Sequence, residues 1–262
     1  MALTELLKKI ADLNYERISK KIITTLKNEL KSSKRDGFVF GLSGGLDSSV
    51  VASLLANAAR EKTFAIVMPS DATSQEDVND SISLGKQLNI QLQMIGLTDI
   101  HSRILHQLPF DKLAAGNLLA RIRMCILYYH ANQRNSLVVG TSDRSELLLG
   151  YFTKYGDGGA DVLPIAALYK TQVRVMGNYL KLPDNILRKR SAPMLWSKHL
   201  AEEEIGMSYE EIDSILYCLF DMKLPPKKTA KKLGIALESV ERIRLMHVKS
   251  AHKRNFPKIY KL

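Results

Sequence analysis

The chain has 262 residues, 45% of them hydrophobic and 25% charged, which is the composition of a globular protein and excludes a disordered or fibrous one. Its two cysteines are too few for a disulfide framework or a CxxC zinc site, which suits a reducing compartment. No apolar run reaches the length of a membrane span and the N-terminus lacks a signal-peptide pattern, so we expect a soluble cytoplasmic protein.

The net charge of +11 is concentrated near the C-terminus, because residues 223–262 contain twelve lysines and arginines against two acids. A patch of this kind attracts polyanions. An ordinary solvated basic face and an anionic nucleotide ligand are equally compatible with it, and the composition leaves these interpretations open.

Hydrophobic periodicity predicts that strands alternate with helices over the first two thirds of the chain. The predicted elements are, in order, helix 4–32, strand 38–41, helix 46–60, strand 63–68, helix 75–88, strand 91–95, helix 116–132, strand 137–140 and helices 143–150 and 169–181. This alternation favours an α/β fold with a doubly wound parallel sheet flanked by helices. Ligands of such sheets bind beyond the carboxyl ends of the strands.

The chain from Pro183 onward is predicted to be helical, with a helix 209–220 and two more helices after Pro225. Ser208 and Glu211 have the spacing of a capping box at the start of that first helix. We expect residues 1–182 to form the α/β core with its N-terminal helix, and residues 183–262 to complete the same domain.

The stretch Gly41-Leu42-Ser43-Gly44-Gly45-Leu46-Asp47-Ser48 joins the first predicted strand to a helix. Glycines at a helix N-terminus let backbone N–H groups and the positive end of the helix dipole approach one point, which suits a phosphate. Asp47 would repel a phosphate unless a divalent cation lay between them, as Mg²⁺ does when carboxylates and substrate phosphates share it. An ordinary strand–turn–helix corner explains the same residues without any ligand.

Residues 140–154 repeat this arrangement after the strand 137–140, with Thr141 and Ser142 placed before a helix. Asp143 and Glu146 have the spacing of a capping box, which accounts for both acids without a function. The functional alternative turns Glu146 outward as a second Mg²⁺ ligand beside Asp47. The glycine-containing loop 155–161 that follows is either a surface turn or part of an anion site.

The first loop resembles the pyrophosphate loop, Ser-Gly-Gly-x-Asp-Ser, of the ATP pyrophosphatases. Further motifs make the resemblance more specific, because they stand in the order found in the NAD synthetase family. These motifs are Gly116-Asn-x-x-Ala-Arg-x-Arg-Met124, Gly140-Thr-Ser-Asp-x-Ser-Glu146, Thr153-Lys-Tyr-Gly-Asp-Gly-Gly-Ala-Asp161, Leu163-Pro-Ile, Tyr169-Lys-Thr-Gln172 and Ser250-Ala-His-Lys-Arg254. The resemblance therefore spans nearly the whole chain.

The resemblance implies an adenine nucleotide alpha hydrolase-like fold and an ammonia-dependent ligase that makes NAD. Such a ligase activates the carboxylate of deamido-NAD with ATP as co-substrate and Mg²⁺ as cofactor, and ammonia then displaces AMP from the acyl-adenylate. No covalent nucleophile is needed in this chemistry. We therefore expect Cys125 and Cys218, which stand in apolar helical patterns, to lie in the core.

The resemblance also implies roles for individual residues at matching positions. Asp47 and Glu146 would hold Mg²⁺, and Asp47 and Lys170 would be catalytic, with Lys170 offsetting charge on the departing pyrophosphate. The implied ATP-binding residues are Gly41, Leu42, Ser43, Gly44, Gly45, Leu46, Asp47, Ser48, Thr141, Lys170 and Ser191. The implied deamido-NAD contacts are Arg121, Lys154, Asp161, His252 and Lys253.

Members of the family are homodimers with the dinucleotide site near the interface, and helix 116–132 is our candidate for that contact. Once the synthetase motifs are assigned, no segment of the sequence remains for an amide-hydrolysing domain. We therefore expect the ammonia to be free or to come from a separate glutaminase.

The chain departs from the family at residues 190–204, where relatives usually have Lys-x-Pro-Ser/Thr-Ala followed by Gln-x-Asp-Glu. Here Arg190 replaces the proline, an extra residue follows Ala192, and His199-Leu-Ala-Glu202 stands in place of Gln-x-Asp-Glu. This loop helps to cover the bound intermediate in relatives. Its role in substrate closure, and the role of Ser191, therefore stay open.

Two other functions are compatible with parts of the sequence. The same ATP chemistry on a tRNA acceptor is favoured by the basic C-terminus, although the missing CxxC pair disfavours thiolation. Residues 227–243 imitate a helix-turn-helix with Gly234 in the turn. Two amphipathic helices around a glycine are more often plain packing, so we do not expect nucleic-acid binding.

Overall fold

The computed structural model describes residues 3–196 and 199–260, and a four-stranded parallel sheet lies at the centre of this part. The strands are β1 (Gly37–Gly41), β2 (Thr63–Val67), β3 (Gln91–Met94) and β4 (Ser136–Val139), in the order β3-β2-β1-β4. Every pairing between them is parallel. The predicted α/β class is confirmed, and each strand lies within one residue of its expected bounds.

Helices surround this sheet on both sides. In chain order they are α1 (Leu3–Ala11), α2 (Tyr15–Ser33), α3 (Leu46–Ala59), α4 (Gln75–Gln87), α5 (Thr98–Leu105), α6 (Lys112–Gln133), α7 (Arg144–Leu149), α8 (Lys170–Tyr179), α9 (Asp184–Leu187), α10 (Ala201–Ile205), α11 (Tyr209–Leu216), α12 (Pro226–Leu233), α13 (Leu237–Lys249) and α14 (Ala251–Arg254). A π-helical turn, Tyr217–Asp221, extends α11. Among the described residues, none of these helices combines the length and hydropathy that crossing a bilayer requires.

The strands β1 and β2 are buried on both faces, which explains why they are short continuous apolar runs, whereas the edge strand β3 is largely exposed. Phe38 and Phe40 of β1 belong to a cluster that includes side chains of α2, α3 and α8. Val39 points the other way and packs with Leu119 of α6. Alternate residues of β1 thus hold the two helical layers on opposite sides of the strand.

The N-terminal region forms two helices, so the prediction of one helix over 4–32 is wrong. The break is made by Asn14, whose side chain accepts a 2.8 Å hydrogen bond from the backbone N–H of Arg17 and caps α2. As a result α1 departs from the sheet, and its Leu6 and Ile10 are buried with the C-terminal helices.

The C-terminal helices form a cluster of their own, in which α11, α12 and α13 bury Ile212, Leu233, Val240 and Ile243. The apolar spacing that imitates a helix-turn-helix is therefore accounted for by packing. The capping box of Ser208 and Glu211 is present as predicted. The division into residues 1–182 and 183–262 stays a prediction.

The two cysteines lie in different environments. Cys218 is buried as predicted, but Cys125 is exposed, so its expected place in the core is wrong. The reason is the periodicity of α6: Arg121, Cys125 and Tyr129 recur at every fourth position and form a solvent-facing stripe on this long helix.

The strands β1 and β4 are neighbours in the sheet although β2 and β3 lie between them in the chain. Phe40 is paired with Val139, so the segments that follow these two strands leave the sheet side by side. This is the position where the direction of winding reverses, and doubly wound sheets bind their ligands there.

Gly44 is the residue of the first loop that tolerates substitution least. Its φ is +76°, and a Cβ atom there would lie 2.2 Å from the carbonyl oxygen of Asp77 in α4. We expect Gly44→Ala to lower the free energy of unfolding by about 2–4 kcal/mol in a urea titration, through left-handed strain and the contact with α4.

The control is Gly96→Ala, because a Cβ atom at Gly96 meets nothing within 4 Å. That variant should stay within about 1 kcal/mol of the parent chain. Equal effects of the two substitutions would contradict the close approach of the loop to α4.

Candidate active site

A cavity of about 630 Å³ opens at the carboxyl edge of the sheet, a volume typical of sites for small ligands. Residues that follow β1, β2 and β4 line it on the side of the sheet. One face of α6 and residues 189–196 and 199–201 complete the lining. The cavity therefore lies at the position that the sheet topology predicts.

The glycine loop is held in a fixed shape at the start of α3. The N-cap of α3 is Gly45, which has no side chain that could satisfy the first backbone N–H groups of the helix. The hydroxyls of Ser43 and Ser48 lie 3.0 Å apart and hold the loop closed across these N–H groups. Because α3 is buried along most of its length, its N-terminus is a rigid site for an anion.

The ammonium group of Lys170 lies at the centre of the site, in contact with three carboxylates. Its Nζ atom is 2.7 Å from Oδ2 of Asp47, 2.9 Å from Oδ2 of Asp143 and 2.9 Å from Oε1 of Glu146. The side chain of Lys170 is 2% exposed and that of Asp143 is fully buried, whereas Asp47 and Glu146 reach the cavity. The two acids predicted to converge are thus brought together on one buried cation.

The electrostatics of this cluster follow from its burial and its charge balance. Burial alone would lower the pKa of Lys170, but the three carboxylates raise it well above its usual range. Burial raises the pKa of Asp143 and raises that of Glu146 well above its usual range, in spite of the nearby ammonium group. With all four groups ionised, two negative charges are left without a counter-charge.

This surplus of negative charge suits a divalent cation. The Oδ1 atom of Asp47 is buried and has no hydrogen-bond partner among the described residues, so one oxygen of a side chain that lines the cavity is left without a donor. Within residues 3–196 and 199–260 no group of three or more His, Cys, Asp or Glu side chains has the spacing of a complete metal site. The residues present therefore fit Mg²⁺ held by two carboxylates and substrate phosphates, and not a closed protein cage.

Both interpretations of Glu146 hold in the structure. The capping box of α7 is complete, since Asp143 accepts from the N–H of Glu146 at 2.8 Å and Glu146 Oε2 accepts from the N–H of Asp143 at 3.2 Å. The second oxygen of Glu146 faces Lys170. The cap therefore fixes the orientation of the carboxylate that lines the cavity.

The first turn of α8 is fixed by Asp213, a residue that the sequence did not single out. The N-cap of α8 is Tyr169, whose backbone N–H donates to Oε1 of Gln172 at 2.9 Å. The fully buried carboxylate of Asp213 in α11 accepts from the N–H of Thr171 at 2.8 Å and from the hydroxyl of Ser145 at 2.5 Å. That hydroxyl in turn accepts from the N–H of Lys170 at 2.9 Å, so Asp213 joins α8 to α7.

Most residues of the predicted ATP set line the cavity. They are Gly41, Leu42, Ser43, Gly45, Leu46, Asp47, Ser48, Thr141 and Ser191. Gly44 packs behind the loop against α4, and Lys170 lies beneath the acids at 1% exposure. The structure thus collects the predicted set from three separate segments of the chain.

The predicted dinucleotide residues are more scattered. Lys253 lines the cavity and donates 2.7 Å hydrogen bonds to the carbonyl oxygens of Gly150 and Phe152. The exposed Arg121 donates to the carbonyl oxygen of Lys154 at 3.3 Å, outside the cavity lining.

The two remaining members of this set are also outside the lining. The carboxylate of Asp161 accepts from the hydroxyl of Tyr128 and from the N–H of Val138, which ties its loop to β4. His252 is exposed on α14.

Several cavity residues were missed at the level of sequence. On α6 they recur with helical spacing, at Leu113, Asn117, Ala120, Met124 and Leu127, and this periodicity was the available signal. Arg123 of the same helix also lines the cavity, and burial lowers its pKa to about 10. Tyr151, Trp196, His199 and Glu204 line it as well, and their convergence has no local sequence signal.

Asp213 makes the stability of the chain depend on pH. Burial raises its pKa from 3.8 to about 7 against the opposing hydrogen bonds from Ser145 and Thr171. The folded chain therefore keeps this proton up to about pH 7, whereas the unfolded chain releases it near pH 3.8. Its contribution to stability is complete below the unfolded value and is lost as the pH rises to about 7.

We expect the free energy of unfolding of the parent chain to fall relative to that of Asp213→Asn between pH 4 and pH 7, by at most about 1.4 kcal/mol per pH unit. Urea titrations at several pH values measure this difference. Asp184→Asn is the control, because Asp184 is a surface residue whose side chain is 79% exposed, and it should change stability by less than about 0.5 kcal/mol throughout. A pH-independent difference for Asp213→Asn would contradict the raised pKa.

Comparisons with known proteins agree with the geometry of this site. A family model described as NAD synthase matches residues 18–257. The NH(3)-dependent NAD(+) synthetase of Hyperthermus butylicus is 46% identical over 256 residues, which cover 96% of this chain and 92% of that protein.

Two solved structures share the fold over nearly the full length. NMN synthetase from Francisella tularensis has a TM-score of 0.85 at 35% identity, with 96% of this chain and 100% of that chain covered. NH3-dependent NAD synthetase from Campylobacter jejuni has a TM-score of 0.82 at 32% identity, with 95% and 100% covered. The resemblance found in the motifs is confirmed, and the chain belongs to the NAD synthase family.

Proposed function

We propose that the chain catalyses the ATP-dependent amidation of deamido-NAD to NAD, with ammonia as the nitrogen donor and AMP and pyrophosphate as products. The observation that supports this most directly is the meeting of Asp47 and Glu146 on the ammonium group of Lys170. They meet beside a glycine loop at a helix N-terminus, in a chain of the NAD synthase family.

ATP is needed because a carboxylate resists amide formation, since its leaving group would be oxide. An oxygen of the nicotinate carboxylate forms a bond to the α-phosphorus of ATP, and the bond to pyrophosphate breaks. The backbone of residues 41–48 would hold the phosphates of ATP at the start of α3. The hydroxyls of Thr141 and Ser191, which line the same cavity, are the further ATP contacts that we propose.

Asp47 and Glu146 would hold Mg²⁺ between their carboxylates and the phosphates. When bound there, the ion offsets the charge that develops on the departing pyrophosphate. Lys170 keeps both carboxylates in place from below and adds a fixed positive charge near the phosphates. These groups are thus already ordered in the folded chain, so substrate binding does not have to supply the free energy of ordering them.

The scattered dinucleotide residues support a homodimer. Lys253 is at the cavity, whereas Arg121 and Lys154 lie at its outer side near the exposed stripe of α6. We propose that a second copy of the chain covers α6 and completes the dinucleotide site there, with Asp161 and His252 nearby. The ammonia would come from solution in the cytoplasm or from a separate glutaminase.

A mononucleotide substrate is the second candidate. The NMN synthetase of Francisella tularensis is 35% identical to this chain with a TM-score of 0.85. This likeness makes nicotinate mononucleotide the natural competitor for the site. The two substrates share the carboxylate and differ in the adenylate half.

The direct test is incubation of the chain with ATP, Mg²⁺, ammonium and either deamido-NAD or nicotinate mononucleotide. We expect AMP and NAD to appear in equal amounts, and the dinucleotide to give the higher kcat/KM. Faster turnover of the mononucleotide would favour the second candidate function. If no AMP formed with deamido-NAD or with nicotinate mononucleotide, both candidate functions would be refuted.

Asp47 provides a sharper test of the metal and phosphate chemistry. We expect Asp47→Asn to reduce pyrophosphate release in the first half-reaction by about 10²-fold or more, because it removes a carboxylate that would share Mg²⁺ with the phosphates. Asp99→Asn, at an exposed position on α5, is the control and should stay within about twofold of the parent. Full pyrophosphate release by Asp47→Asn would refute the role of this residue.

A further inference from the structure

Four side chains that have no role in the proposed first half-reaction form a cluster at the cavity, namely Tyr151, Trp196, His199 and Glu204. The imidazole of His199 is stacked on the indole of Trp196, with ring centroids 3.6 Å apart and planes 16° apart. Its Nε2 atom lies 2.7 Å from Oε2 of Glu204 and 3.3 Å from the hydroxyl of Tyr151. All four side chains line the cavity that also contains Asp47 and Glu146.

The contacts of Glu204 determine which nitrogen of His199 carries the proton. Burial alone would raise the pKa of Glu204, but hydrogen bonds from Tyr151 and His199 lower it below its usual value. An ionised carboxylate only accepts hydrogen bonds, so Nε2 of His199 must be the donor. The lone pair of a neutral imidazole then resides on Nδ1.

The Nδ1 atom is the unusual member of this cluster. It is buried, and it has no hydrogen-bond partner within residues 3–196 and 199–260. An imidazole that is oriented by a carboxylate at one nitrogen and free at the other has the arrangement of a general base. The side chain is 4% exposed, so it is sheltered from bulk water.

The charged groups around His199 come from several elements. Glu204 belongs to α10, and Tyr151 follows α7. Lys112 of α6 places its ammonium group 4.7 Å from the centre of the Trp196 ring. Besides Glu204, the acids Glu146 and Asp157 interact electrostatically with Tyr151.

The second half-reaction of the proposed function needs such a base. Ammonium predominates over ammonia at neutral pH, and it has no lone pair with which to attack an acyl carbon. We propose that His199 is a catalytic base that removes a proton from ammonium in the cavity, with Glu204 and Tyr151 as positioning residues. This inference rests on the proposed function.

One N–H bond of ammonium breaks, its proton forms a bond to Nδ1 of His199, and the resulting imidazolium is paired with Glu204. The lone pair of ammonia forms the C–N bond to the acyl carbon, and the C–O bond breaks with its electrons leaving on AMP. The extra proton of the new amide nitrogen passes to water, and His199 returns its own proton to water when the products leave.

The variant His199→Gln tests this role, because glutamine keeps a polar side chain but cannot accept the proton. We expect exchange of labelled pyrophosphate into ATP, which reports the first half-reaction and the integrity of the fold, to stay within about twofold of the parent. AMP release with ammonium should fall by about 10²-fold or more at neutral pH. The loss should shrink as the pH rises and free ammonia becomes the main form.

Hydroxylamine provides the decisive control, since it is largely unprotonated at neutral pH and needs no base to attack. Parent and variant should then release AMP from the acyl-adenylate at similar rates. Equal losses with ammonium and hydroxylamine, no loss with either, or a loss of pyrophosphate exchange would each overturn the proposal. Absence of exchange in the parent chain would instead refute the proposed function itself.

Glu204→Gln separates orientation from stacking. It keeps the shape of the side chain but no longer favours the Nε2–H form of His199, so we expect an intermediate loss with ammonium and none with hydroxylamine. Lys112→Met removes the ammonium group that lies 4.7 Å from the centre of the Trp196 ring and should leave both rates within about twofold. A larger effect of Lys112→Met than of Glu204→Gln would overturn the positioning role of the carboxylate.

Discussion

The site depends on one buried ion cluster, in which Lys170 contacts Asp47, Asp143 and Glu146. Removing charged groups from water costs several kcal/mol per ion, so each member is tolerated only because the others are present. The cluster therefore requires that α3, α7 and α8 begin at the same point, since each contributes a residue from its first turn or its cap. The order of the strands makes this meeting feasible, because β1 and β4 are adjacent in the sheet.

The same cluster explains why the site is rigid and why its net negative charge favours a bound cation. A lysine alone cannot balance three carboxylates, and burial together with the charges of Asp143 and Asp47 holds the pKa of Glu146 well above its usual range in spite of Lys170. A divalent ion held by Asp47 and Glu146 would offset the two surplus negative charges of the cluster, which no side chain of the cluster does. A further lysine or arginine in the cluster would stabilise the protein without the ion and would weaken its affinity for a divalent ion. The surplus negative charge is thus consistent with a binding site and not with a purely structural ion pair.

Local patterns in the sequence predicted the strands, the glycine loop and the capping boxes, and the family resemblance implied the convergence of Asp47 with Glu146, which the local pattern had left as one of two alternatives. These features depend on residues close together in the chain or on the rule that parallel strands end at one edge. The break at Asn14 was missed because a single N-cap interrupts an otherwise continuous amphipathic pattern. The exposed Cys125 was missed because apolar content alone does not show which face of α6 meets solvent. Asp213 and His199 could not be found, since their partners are distant in sequence and no local pattern marks a buried carboxylate or a stacked imidazole.

The capping of α8 by Asp213 has a consequence for the order in which the molecule is assembled. A nascent chain that has left the ribosome only as far as α8 already contains both loops, both acids and Lys170, but it lacks one restraint on the first turn of α8, the carboxylate of Asp213 that accepts from the N–H of Thr171. The restraint arrives with α11, and the same C-terminal cluster also receives α1 from the other end of the chain. The full set of hydrogen bonds behind Lys170 therefore forms only after α11 has been synthesised, although every residue that faces the cavity from the two loops is made before it.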